Sequence, residues 1–143
     1  MSRPEHLKPT GAFIGASWAC LLIGAIAYLA SLWNSNMQLN EKGYYLAVLL
    51  YGLFAAVSLQ KSVRDRAEGI PVTGIYFGIS WFAVVSALGL LVVGLFNATF
   101  PVSDKGFYGM AYLLSLFAAV TVQKNIRDSG PKEEDAGLAM ADE

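Results

Sequence analysis

Two stretches of this 143-residue chain put an acid, a lysine, a glycine and two aromatic residues in consecutive order: Glu41-Lys42-Gly43-Tyr44-Tyr45 and Asp104-Lys105-Gly106-Phe107-Tyr108. Such corners could form a small binding site around Lys42 and Lys105. They also have a plain structural use. Asn40 and Ser103 suit a helix N-cap, and Glu41 and Asp104 suit the positive helix end that follows. Gly43 and Gly106 would then allow close approach in the first turn, while the aromatic rings anchor a membrane interface. The capped, anchored helix start is the simpler reading of the two.

A second pair of motifs is Gln60-Lys61-x-x-Arg64-Asp65 and Gln123-Lys124-x-x-Arg127-Asp128. Lys61 and Asp65 are four apart, as are Lys124 and Asp128, so each pair shares a helix face. Cations here favour a helix C-terminus and anionic headgroups, and the simplest expectation is a basic anchor. The sharper one is a contact surface for a cytosolic partner or lipid, built from Gln60, Lys61, Arg64, Asp65, Gln123, Lys124, Arg127 and Asp128.

Reaction chemistry is not written anywhere else. There is no Ser/His/Asp grouping, no metal-ligand spacing and no phosphate-binding glycine loop. Cys20 is the lone cysteine, which leaves no intramolecular disulfide or cysteine zinc cluster, and His6 is the lone histidine. The expectation is a protein that is not an enzyme and needs no cofactor or metal.

The elements that position these motifs follow from composition. Hydrophobic residues make up 55% and charged residues only 15% of the chain, against about 25% charge in a soluble domain. The apolar residues form four blocks, 11–33, 44–59, 74–96 and 107–122, all free of Asp, Glu, Lys, Arg and His. The first and third would span roughly 34 Å as helices, enough for a hydrocarbon core of about 30 Å. The other two need their polar flanks to cross. A soluble all-α bundle is disfavoured because such runs leave no polar face for water. The first block exceeds the core of a cleavable signal peptide, and three further spans follow it.

The blocks are one unit written twice. Residues 11–65 align without a gap on 74–128, and about a third of the pairs are identical. Gly11, Gly15, Ser17 and Trp18 recur as Gly74, Gly78, Ser80 and Trp81; Lys42, Gly43 and Tyr45 recur as Lys105, Gly106 and Tyr108. Two spans per copy give both copies the same orientation, so the repeats are parallel, about an axis along the membrane normal. The expected division is a tail (1–10), a first two-helix repeat (11–65), a linker (66–73), a second repeat (74–128) and an acidic, disordered tail (129–143). Eight basic residues, Arg3, Lys8, Lys61, Arg64, Arg66, Lys124, Arg127 and Lys132, lie on one side, with Lys42 and Lys105 on the other. The positive-inside rule then places both termini in the cytoplasm. Small residues repeat at four-residue steps: Gly11 and Gly15 with Ala12, Ala16, Cys20 and Gly24; Gly74 and Gly78; Gly52 and Ala56; Ala111, Ser115 and Ala119. These stripes let helices pack, within the bundle or between protomers.

With the repeat in view, the paired stretches 31–65 and 94–128 (SLWNSNMQLNEKGYYLAVLLYGLFAAVSLQKSVRD and GLFNATFPVSDKGFYGMAYLLSLFAAVTVQKNIRD) resemble the YiaA/YiaB family of small bacterial inner-membrane proteins. The resemblance implies a two-helix membrane unit with a linking section and a Gram-negative inner-membrane location. It brings no catalytic residues. The second copy carries Phe96 for Trp33 and Ser103 for Asn40, with the physical role kept.

These readings combine into an all-α, four-span membrane protein, embedded in the lipid bilayer and touching anionic lipids at its cytoplasmic face. The expected role is non-enzymatic: a self-associating structural or accessory component of the envelope, with an unidentified membrane or cytosolic protein as a further partner and no role for nucleic acid. The alternative is a small channel or transporter lined by Ser17, Ser80, Ser31, Tyr28 and Ser86.

Overall fold

The computed structural model describes residues 8–130. Arg3, His6, Lys132 and most of the acidic tail lie outside the described residues. Four helices account for most of it: α1 (Gly11–Trp33), α2 (Leu39–Ala67), α3 (Gly74–Asn97) and α4 (Val102–Ser129). All four are long and apolar enough to cross a membrane. The polar flanks lengthen α2 and α4 as required, to 29 and 28 residues.

Each copy starts in the same way. Thr10 Oγ1 accepts the Phe13 amide at 3.2 Å, and Thr73 Oγ1 accepts the Tyr76 amide at 3.2 Å. These caps satisfy orphan donors of α1 and α3. The caps expected from Asn40 and Ser103 are not made. α2 starts from Gln38 and α4 from Pro101, neither with a side-chain cap, so Asn40 and Ser103 already sit in the first turn. The Gln38 carbonyl takes the Lys42 amide, and the Pro101 carbonyl takes those of Asp104 and Lys105. Glu41 and Asp104 remain in the first turn, as expected.

The connection between α2 and α3 opens with a Schellman turn. Gly69, at φ 79°, lets the Ile70 amide reach back to Asp65 O at 2.7 Å and its own amide to Arg66 O at 3.2 Å. Arg66 then lies 4.0 Å over the Phe77 ring, tying the end of α2 to α3.

The repeats are hairpins in topology but not in packing. α1 lies along α4 and barely touches α2; α3 lies along α2; and α2 lies along α4. The spatial order is α1–α4–α2–α3, with the second helices of the two copies central and the first helices exchanged between them. Equivalent residues meet at the centre. Tyr45 stacks on Tyr108 at 6.1 Å between ring centroids and 25° between planes, and these two are counterparts in the repeat.

Small residues decide the helix contacts. A Cβ on Gly24 would come within 2.8 Å of Ser115 Oγ, one on Gly94 within 2.7 Å of the Tyr44 ring, and one on Gly52 would collide with Tyr112. With lipid outside, close backbone packing and shared hydrogen bonds are what hold such helices together. Tyr28 Oη donates to Tyr45 O and Tyr112 Oη to Val48 O, both at 2.9 Å and buried. The outer helices α1 and α3 present Ile23, Ile26, Ile79 and Phe82 outward, the arrangement expected where the solvent is hydrocarbon.

Candidate functional site

The bundle has two polar ends, each made by both copies. At the end carrying the Lys-Gly corners, the loops 34–38 and 98–101 flank the starts of α2 and α4 and enclose a half-open cavity of about 1030 Å³. Tyr44, Tyr45, Tyr108, Phe100 and Phe107 form its aromatic wall. Amides and hydroxyls of Asn34, Asn36, Gln38, Asn97 and Thr99 add a polar rim. Glu41 and Asp104 both line it, brought together from the two copies. Tyr44 is fixed by a hydrogen bond from its hydroxyl to Leu90 O, and its ring lies where Gly94 has no side chain.

The lysines do not follow their acids. Lys42 Nζ turns to the C-terminal end of α1, donating to Trp33 O at 3.0 Å and lying 5.7 Å from the Trp33 ring centroid. There it satisfies one of the carbonyls a helix end leaves open. Lys105 is also outside the cavity wall. Gly43 and Gly106 are exposed, and a Cβ on either would meet nothing within 4 Å. The close approach expected of them is absent because neighbouring helices meet α2 and α4 deeper, at Gly52 and at Ser115.

At the opposite, basic end the two Gln-Lys-x-x-Arg-Asp motifs face each other. Arg64 pairs with Asp128, and Arg127 Nη2 pairs with Asp65 at 2.6 Å. One bridge is the other moved by one repeat. Lys61 and Lys124 each reach the Asp of their own helix at 2.8 Å. Glu68 joins both copies, accepting from Arg64 at 2.9 Å and Arg127 at 2.8 Å. The Arg64 guanidinium holds the Glu68 carboxyl below the usual range, opposed by partial burial and reinforced by Arg127. Asp65 and Asp128 are buried, whereas Lys61 and Lys124 are about half exposed. Gln60 and Gln123 line a narrow cleft with the lysines and arginines.

Of the residues the sequence singles out, the structure therefore gathers Glu41 with Asp104, and Arg64, Asp65, Arg127 and Asp128 with one another. Gly11, Gly15, Gly74 and Gly78 are exposed and a Cβ on any of them would meet nothing within 4 Å, so they pack no helix of their own protomer. Among the serines considered for a solute path, Ser17 and Ser80 bond the carbonyls of Phe13 and Tyr76 in their own helices, and Ser31 lines the cavity. Sequence reasoning passed over Tyr112, Glu68 and Asn125. Tyr112 stands where the first copy has Leu49, a mid-span divergence that could have marked it. Asn125 stands where the first copy has Ser62; its amide reaches Ser17 Oγ at 3.0 Å across to α1. Glu68 falls beyond the matched repeat.

Comparison with known proteins agrees with this duplicated architecture. The family model described as "yiaA/B two helix domain" matches twice, at residues 13–65 and 76–128. The chain is 58% identical to Inner membrane protein YiaA of Escherichia coli (strain K12) over 125 residues, 85% of this chain and 86% of that protein. It is 31% identical to Inner membrane protein YiaB of the same organism over 97 residues, 67% of this chain and 81% of that one. It is also 38% identical to the Uncharacterized membrane protein YubF of Bacillus subtilis (strain 168) over 62 residues, 43% of this chain and 71% of the relative. No solved structure matches. With both copies of the two-helix domain matched over most of its length, the chain belongs to the yiaA/B two-helix-domain family of membrane proteins.

Proposed function

We propose that this is a non-enzymatic inner-membrane protein that self-associates and serves as a structural or accessory component of the envelope, with both termini in the cytoplasm. The observation that carries the reading is the position of four glycines. Gly11, Gly15, Gly74 and Gly78 sit on outward faces of α1 and α3, with open space at each. Small-xxx-small faces that no helix of the protomer uses can admit the helix of a second copy. The half-exposed Lys61 and Lys124 support contact with anionic lipid, or with a membrane or cytosolic protein, at the basic end.

Mass measurement of the protein ejected from native lipid tests the association. Wild type is expected as a dimer or larger, and Gly15→Leu/Gly78→Leu as a monomer of unchanged helicity. Assembly unaffected by both leucines would sink the reading. A second reading, a channel or transporter, draws support from the half-open cavity at the Lys-Gly end. The packing beneath it opposes a path within one protomer, since Tyr28, Leu49 and Tyr112 are at most 1% exposed. A solute would have to pass between protomers.

A further inference from the structure

The cavity at the Lys-Gly end has a composition that selects for charge. Among the described residues lining it, Glu41 and Asp104 are the charged ones, and both are acids. Each is followed in sequence by a lysine that stays outside the cavity, and Lys42 is engaged with the end of α1. The helix starts beneath contribute positive potential, but only about half a charge each. Two full carboxylates outweigh two half-charges, so the lining of the cavity carries net negative charge, which disfavours phosphates and carboxylates.

Its walls point the same way. Tyr44, Phe107, Phe100 and Tyr108 line it, and they form one ring cluster with Tyr45: Phe100 and Phe107 pack on Tyr108 at 5.5 and 6.2 Å, and Tyr44 on Tyr45 at 5.3 Å. Aromatic faces carry negative charge density and attract cations, most effectively weakly hydrated ones such as alkylammonium groups. A metal ion would call for several anionic or imidazole ligands converging at short range, and no group of three or more His, Cys, Asp or Glu side chains among the described residues is placed to hold one. The cavity volume of about 1030 Å³ accommodates an organic molecule or a headgroup.

We propose that this cavity binds an ammonium-type organic cation, with Glu41 and Asp104 as counter-charges contributed by the two copies and the aromatic cluster as the wall that faces the cation. The ammonium can belong to a free amine or to the headgroup of a lipid such as phosphatidylethanolamine. The site needs one protomer only, so it is independent of self-association.

The test is calorimetric titration of the full-length protein in maltoside micelles with choline, ethanolamine and 3,3-dimethylbutan-1-ol, the last being the neutral isostere of choline. The cations should bind saturably and the isostere should not. Glu41→Gln and Asp104→Asn should each weaken choline about threefold, and together roughly tenfold, as expected for solvent-accessible charge pairs. Equal binding of choline and its isostere, no saturable binding of either cation, or an unchanged affinity in a normally folded double variant would overturn the proposal. If the double variant elutes abnormally, choline against its isostere on wild type decides the matter. The source follows from nanodiscs: loss of choline binding in phosphatidylethanolamine, compared with a neutral glucosyl-diacylglycerol, assigns the site to the lipid headgroup. Equal choline binding in both assigns it to a soluble amine.

Discussion

Asp65 and Asp128 are carboxylates that the bundle buries and then neutralises from both copies. Removing one partner of such a pair leaves a buried charge and costs more than the pair contributes. Arg127→Ala is therefore expected to destabilise the protein by about 2 kcal/mol, the range for hydrogen bonds to charged groups. The exchange Asp65→Arg/Arg127→Asp should restore part of that, as read by chemical unfolding in micelles. Failure of the exchange to recover any stability would mean the bridge itself contributes nothing. Glycines give a sharper contrast. Gly52→Ala should cost about 1–3 kcal/mol because its methyl meets the Tyr112 ring. Gly15→Ala, in open space, should leave protomer stability unchanged or slightly raised. The sequence singled out both glycines, but a stripe of small residues on a helix cannot say which members face protein. That depends on which helix lies alongside.

The helices themselves were nearly all legible. Uncharged blocks with polar flanks located four spans, and the observed ends differ from the expected ones by a residue or two at α2 and α4. Their partners were not legible. A two-helix repeat reads naturally as a hairpin packed on itself, yet Gly24 of α1 meets Ser115 of α4. In the repeat, Ser115 is the counterpart of Gly52, so the two pairings can be told apart directly. In a Cys20→Ala background, Gly24→Cys/Ser115→Cys should cross-link on mild oxidation, and Gly24→Cys/Gly52→Cys should not. The reverse pattern would mean that each copy packs on itself. The exchange also explains why both ion-pair bridges run between copies: with α2 and α4 side by side, each Arg faces the Asp of the other helix.

For the whole molecule, an even number of spans predicts both termini on one side of the membrane. Reporter fusions at the two ends should agree, and under the proposed orientation both report from the cytoplasm; a C-terminal reporter active outside would refute that orientation. The pseudo-two-fold makes each end of the bundle a shared surface, one a closed net of ion pairs, the other a cavity with two acids. The sequence by itself determined the span count, the duplication and the parallel orientation of the copies, because hydrophobic length, an even number of spans and side-chain identity are properties of the chain read in order. Only the tertiary structure decided that first helices change partners, that the arginines and aspartates lock the copies together, and that Glu41 and Asp104 share a cavity their lysines avoid. Those outcomes depend on which side chains meet across 46 to 108 positions of chain, and contact at that range is set by packing rather than by local pattern.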